Sequence, residues 1–229
     1  MHVGKKNPEY SYHMGGYAPA GIVLKEVQEE KDIGIMISNS LKPYSQCAKA
    51  ARIANAVLGQ MSRSFHYRDK ETWIRLYKIF VRPHLELSVQ AWSPWYVKDI
   101  DLLESVQKRA VNMVVGLKAT SYENQLKEIR LPSLQERRVR GDMIQTWKYV
   151  QGVNPGGDKL LKRAQEQHGR VTRHTSGKFN LATVDAKSEI RKNFFASRCV
   201  EGWNRLPEYL QGAESVVDFK RDYDDLLKS

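Results

Sequence analysis

The stretch Tyr44-Ser-Gln-Cys-Ala-Lys-Ala-Ala-Arg-Ile-Ala-Asn-Ala-Val-Leu-Gly-Gln-Met-Ser-Arg-Ser-Phe65 decides how this chain folds. Ala50, Ala54, Val57, Leu58, Met61 and Phe65 recur at helical spacing and make one apolar side, so the period predicts an amphipathic helix over 44–65. The opposite side carries Lys49, Arg52, Ala56, Gly59 and Arg63. It is basic and built of small residues, which lets a polyanionic backbone approach closely. The plainer reading, a solvated face of an ordinary helix, fits the same residues.

Downstream the helical period continues to about residue 151. Asp69 is a favourable N-cap for a helix over 70–91, with Trp73, Leu76, Tyr77 and Phe80 on its apolar side and Arg75, Lys78 and Arg82 on the other. Pro83 predicts a kink, because it removes a backbone donor and its ring clashes with the preceding turn. The aromatic run Ala91-Trp-Ser-Pro-Trp-Tyr96 reads as a plug at a helix junction in preference to a base-stacking platform. A third helix is expected over 99–115, with Ile100, Leu103, Val106, Ala110 and Val114 inward and Gly116 as C-cap. Ser121 starts a short helix. Ser133-Leu-Gln-Glu136 is a capping box for a helix to about 151, with Val139, Met143, Trp147 and Val150 inward and Arg137, Arg138 and Lys148 pointing elsewhere. Arg140 falls on the apolar side, so it requires a carboxylate partner or an aromatic platform.

Residues 152–187 read as a linker and basic loop. Gly152-Val-Asn-Pro-Gly-Gly157 is a turn, and Arg170, Arg173, His174 and Lys178 lie in a Gly/Ser/Thr-rich run that suits a phosphate backbone or a plain surface loop. A helical region over 188–229 follows. Ser188 caps a helix to about 205, Leu206-Pro207 stops it, and Ser215 caps the last helix. Upstream, residues 1–40 differ in kind: Ile22-Val-Leu-Lys-Glu-Val27 and Ile33-Gly-Ile-Met-Ile37 are β-branched runs that read as strands. So few strands do not make a stable sheet alone, and the segment reads as the trailing edge of a larger one. The fold class expected is therefore mainly α, with a short N-terminal β segment at 1–40, a helical domain at 41–151, the linker at 152–187 and a smaller helical region at 188–229.

The chain has 229 residues, 37 Lys+Arg against 26 Asp+Glu and a formal net charge of +11. Such an excess favours an anionic partner, nucleic acid before a membrane surface. The surplus is local: residues 46–90 hold eight Lys/Arg and three Asp/Glu, whereas residues 1–45 hold five of each. Cys47 and Cys199 form no zinc or disulfide pattern, which fits an intracellular compartment, nucleus or cytoplasm. No apolar run approaches membrane-spanning length, and the first residues lack the apolar core of a signal peptide. The six histidines show no metal-ligand spacing, there is no phosphate-binding Gly-Lys-Ser/Thr loop, and Asp222, Asp224 and Asp225 read as a solvated helix face in preference to a two-metal site. No catalytic residue and no metal ligand is assigned.

Several stretches, in order and spacing, resemble one family. They are Glu29-Glu-Lys-Asp-Ile-Gly-Ile-Met-Ile-Ser38, Arg68-Asp-Lys-Glu71 with Leu76-Tyr77, Val81-Arg-Pro-His-Leu-Glu86 and Val89-Gln-Ala-Trp-Ser-Pro94. Leu103-Glu-Ser-Val-Gln-Lys-Arg-Ala110, Leu131-Pro-Ser-Leu134, Arg137-Arg138, Arg191-Lys-Asn-Phe-Phe195 and Trp203-Asn-Arg-Leu-Pro207 follow. Together they resemble the C-terminal part of reverse transcriptases of non-LTR (LINE-type) retrotransposons. The resemblance implies that residues 1–40 are the last strands of a palm, that 41–151 are a thumb holding the template–primer duplex, and that the rest is the region after the thumb. The palm aspartates of the family, with a Tyr/Phe-x-Asp-Asp turn, would lie upstream of Met1, and that motif is absent here. The chain is then not an enzyme by itself and has no cofactor of its own, Mg²⁺ belonging to the missing palm. The partners implied are an RNA–DNA hybrid or other nucleic acid and the missing palm and fingers, with no membrane. The residues expected to contact phosphates are Lys49, Arg52, Arg63, Arg75, Lys78, Arg82, Arg137, Arg138, Arg170 and Arg173. Some relatives carry a Cys/His knuckle after the thumb, from which this sequence departs. Two other readings stand beside this one: a helical protein–protein interaction module, and a relic of a mobile element without a role.

Overall fold

A computed structural model of the chain describes residues 1–4, 7–15, 21–118, 120–167 and 177–228. It is mainly helical, with two short antiparallel strand pairs near the N-terminus. Two compact units are present, Met1–Leu131 and Pro132–Ser229.

In the N-terminal unit, β1 (His13–Met14) pairs with β2 (Ile22–Val23), and β3 (Glu29–Asp32) pairs with β4 (Ile35–Ser38). The second run of the expected strand pattern begins later than its apolar residues suggest. Ile33 and Gly34 both take positive φ, 44° and 86°, and form the two-residue turn of the β3–β4 hairpin. This turn matches the twist of the paired strands, and Gly34 accepts it freely. Ile33 does so against its β-branch and stands 94% exposed.

The hairpin is fixed to α1 (Tyr44–Ser64) by polar groups. Met36 N donates to Gln46 Oε1 at 2.9 Å, Lys49 Nζ to the Gly34 carbonyl at 2.8 Å, and Ser45 Oγ to Glu29 Oε1. The expected apolar side of α1 is the buried side: Ala50, Ala54, Leu58 and Met61 all lie inside, with Phe65 exposed at the C-cap. Asp69 caps α2 (Lys70–Leu76) by accepting from Thr72 N.

The chain then passes through a π-helical turn (Tyr77–Val81) into α3 (Arg82–Glu86). The Arg82 N–H reaches back to the Tyr77 carbonyl, five residues away. Pro83 explains the turn: its ring crowds the carbonyl of residue 79, and a widened turn relieves the clash. An extra residue in one turn rotates everything after it by about 100°. Phe80, expected inside, is therefore 51% exposed, and Arg82, expected outside, is drawn in against Glu86 at 3.8 Å. After α4 (Val89–Trp92), Trp92 and Pro94 are buried, the plug expected of the aromatic run. The long α5 (Val97–Val111) packs on α1 and receives two hydrogen bonds from the α2–π segment: the Trp73 indole to the Ala110 carbonyl at 2.8 Å and the Tyr77 hydroxyl to Gln107 Oε1 at 2.7 Å. The short α6 (Tyr122–Glu128) follows its Ser121 cap.

The C-terminal unit opens with α7 (Leu134–Val150), whose Ser133/Glu136 capping box is formed in full. This helix belongs with the elements after it, so the division of the chain falls at 131/132 instead of near 151. It is followed by α8 (Gly157–Leu160) and α9 (Ala164–Gln167). The expected helix from Ser188 is interrupted at Phe194, which is extended, and becomes α10 (Glu189–Asn193) and α11 (Phe195–Asn204). Then come α12 (Glu208–Gln211) and α13 (Val216–Leu226). Met143 and Trp147 of α7 meet Phe195, Cys199, Val200 and Trp203 of α11 and Phe219 and Tyr223 of α13 in one core. Trp203 Nε1 donates to the Phe179 carbonyl, and the Asn204 amide both accepts from Leu181 N and donates to its carbonyl. The Trp203-Asn204 pair thus binds the 179–181 segment to α11 as a strand neighbour would.

Candidate nucleic-acid interface

Arg52 and Arg63 stand exposed on α1. They are eleven residues apart, which places them about 16 Å apart along the axis and nearly on one side of the helix. Between them Ala56 is exposed and Asn55 and Gly59 are half-buried, so the floor is low. A Cβ built on Gly59 would meet nothing closer than Arg63 Nη1 at 3.7 Å, so the glycine keeps the surface flat and relieves no clash. Lys49 is half-buried with its ammonium on the Gly34 carbonyl, a neutral acceptor that leaves the charge in place.

The second helix of this surface is α5, not α2. Lys98 Nζ lies 5.1 Å from the Tyr44 ring, and Arg109 Nη1 donates to Asn55 Oδ1 at 3.3 Å. Both contacts join residues fifty-four apart in sequence, so α1 and α5 run parallel and in step. Lys98 and Arg109 therefore line the seam that Arg52 and Arg63 border from the other side. Among the described residues none of these four cations forms an ion pair. The parallel pairing also sets the positive ends of two helix dipoles together, with Lys42 held 5.7 Å over the Tyr96 ring at the same end. The one carboxyl in the first turn of α5, Asp99, is fully buried, and neither of its oxygens has a hydrogen-bond partner. Burial raises its pKa and so favours the neutral form.

The other expected contacts are arranged differently. Arg75 is exposed but bonded to Glu71 at 2.9 Å, Lys78 is half-buried in the π turn, and Arg82 is turned against Glu86. The π turn thus breaks the row that helical spacing predicts for Arg75, Lys78 and Arg82. In the C-terminal unit, Arg137 is half-buried and Arg138 is 5% exposed, which removes Arg138 from any surface. The buried side of α7 holds Met143 and Trp147 as expected, but Leu134, Arg138, Asp142 and Thr146 complete it, while Val139 is 52% exposed. Arg170 and Arg173 lie outside the described residues. Lys98 and Arg109 escaped the sequence reading, since their nearness to α1 depends on a contact between residues far apart in the chain.

No protein-family model, curated protein or solved structure matches the chain.

Several charges of the C-terminal unit are engaged internally. Arg140 makes two bonds to Asp224, 2.5 and 2.8 Å, the carboxylate partner its inward position demands. That hydrogen bond holds the Asp224 carboxyl below the usual carboxylate range and raises Arg140. Arg198 makes two bonds to Asp142, 2.8 and 3.0 Å, and a third to the Asn193 carbonyl. Asp222 and Asp225 pair with Arg221 and Lys228. Among the described residues no group of three or more His, Cys, Asp or Glu is placed to hold a metal ion, and no helix is long and apolar enough to cross a membrane.

Proposed function

We propose that this chain is the C-terminal part of a non-LTR retrotransposon reverse transcriptase, lacking the catalytic palm aspartates, and that its α1–α5 seam holds the backbone of a nucleic-acid duplex, in particular an RNA–DNA hybrid. The observation that carries the reading is the convergence of Arg52, Arg63, Lys98 and Arg109, none of them in an ion pair among the described residues, on two parallel helices with a floor of small residues. Guanidinium groups bind phosphate oxygens, and a low floor admits the strand between them. Such contacts recognise shape and charge and carry no base sequence. In this reading the chain contributes positioning, and two Mg²⁺ ions held by the family's palm carboxylates would supply the chemistry of polymerisation.

The test is a triple variant, Arg52→Glu, Arg63→Glu and Arg109→Glu, titrated against a hybrid by fluorescence anisotropy. Affinity falls roughly 100-fold at moderate salt, and the slope of log K against log salt becomes shallower by about 2 to 3. Unchanged affinity and slope in a folded variant would refute the assignment. One observation favours the interaction-module reading: the π turn leaves Ile79 (56%), Phe80 (51%) and Leu87 (67%) exposed on the N-terminal unit. If that reading holds, the wild-type chain binds no nucleic acid in a salt-sensitive way.

A further inference from the structure

The β1–β2 hairpin presents an apolar face of its own. The register pairs His13 with Val23 and Met14 with Ile22, and the Leu24 N–H donates to the Tyr12 carbonyl. Cross-strand partners share a face, so Tyr12, Met14, Ile22 and Leu24 lie together, with Tyr10 two residues before Tyr12. All five are exposed: Tyr10 66%, Tyr12 60%, Met14 63%, Ile22 72% and Leu24 48%. The ring of His2, 6.1 Å from that of Tyr12, leaves it so.

Two observations select what covers this face. The first is its size. Five large side chains at these exposures present on the order of 600 Å² of surface, the upper end of what a monomer leaves in one patch and the size at which such patches are often functional. Two such faces, covered in full, bury about 1,200 Å², the lower bound of a specific protein–protein interface. The second is charge. Residues 1–45 hold five Lys/Arg and five Asp/Glu in a chain whose net charge is +11. The segment carries no net charge of its own, so local like-charge repulsion is least there, and it lacks the cationic surplus that a nucleic-acid platform requires.

We propose that the Tyr12/Met14/Ile22/Leu24 face of the hairpin is a self-association surface, on which a second copy of this chain packs face to face. A two-stranded hairpin is marginal by itself, and the second copy supplies the layer that stabilises it. The interface is isologous and at the small end of the range, so the dimer forms with a dissociation constant on the order of 10 µM.

The test is sedimentation equilibrium of the full chain, treated with nuclease and held at about 0.5 M salt, where a Debye length near 4 Å removes bridging by residual nucleic acid. A concentration-dependent monomer–dimer equilibrium is expected. Tyr12→Asp with Ile22→Asp weakens it at least tenfold, and Val23→Ser, on the opposite face, leaves it within twofold. Far-UV circular dichroism confirms that the helical part of each variant stays folded. A wild-type chain that stays monomeric up to about 100 µM, an order above the expected dissociation constant, overturns the proposal. So does a dimer that survives the double variant, or one lost equally through Val23→Ser.

Discussion

The two units use the same residue type in opposite ways. In the N-terminal unit, Arg52, Arg63 and Arg109 stand on the surface, and among the described residues none of them forms an ion pair. In the C-terminal unit, Arg140 and Arg198 each close a bidentate pair with a carboxylate, and Arg138 is buried. These three arginines of the first unit are available to a partner, whereas those three of the second are part of the framework. Net charge counts both alike, so only the placement of each cation separates a binding surface from a structural network.

This contrast can be attacked from the framework side first. The Asp142–Arg198 pair is shielded, with 10% and 17% of the side chains exposed. Arg198→Ala leaves a carboxylate buried without its partner, and the C-terminal unit loses about 3 kcal/mol, read from the urea unfolding midpoint. Hybrid affinity in the folded variant stays within twofold. A large loss of affinity would place Arg198 in the interface and end the distinction.

Arg140–Asp224 is more open, and its loss in Asp224→Asn costs about 1 kcal/mol. Its pH dependence has a definite sign. The folded carboxyl titrates below its unfolded value, so the pair's contribution is complete above about pH 4 and fades as pH falls through the folded pKa. Unfolding measured from pH 7 downward should show wild type and Asp224→Asn converging in acid. A gap that widens there would contradict the pairing.

The smallest effect belongs to the matched control. Lys192, Arg205 and Arg221 are exposed cations paired with Glu189, Glu201 and Asp218. Reversing all three to Glu changes the net charge as much as reversing Arg52, Arg63 and Arg109 does. It alters hybrid affinity less than twofold in anisotropy, apart from long-range screening effects that vanish at moderate salt.

Much of the fold was legible because the relevant signals are local. Asp69, Ser121, Ser133 with Glu136, Ser188 and Ser215 each cap a helix that starts where expected, although those from Asp69 and Ser188 are interrupted earlier than their patterns suggest. Arg140 announced a carboxylate partner by standing on an apolar side, though not which one. What stayed illegible depends on register or on long-range contact. Pro83 signals a disturbed helix, but the choice between a kink and a π turn depends on the packing of Trp73 and Tyr77 against α5. One inserted residue was enough to exchange Phe80 and Arg82. In α7 Met143 and Trp147 lie inside as their spacing indicates, but Arg138 and Asp142 are buried beside them in place of Val139, and the Asp142–Arg198 pair makes that polar side tolerable. The candidate interface was half visible, since α1 shows its own basic face whereas its pairing with α5 spans fifty-four residues.

The most direct measurement is the binding of the wild-type chain to an RNA–DNA hybrid, duplex DNA and single strands by fluorescence anisotropy across a salt series. The α1–α5 surface predicts tight binding to duplexes, strongest for the hybrid, indifferent to sequence and falling steeply with salt. A folded chain that binds none of them at low salt would contradict it.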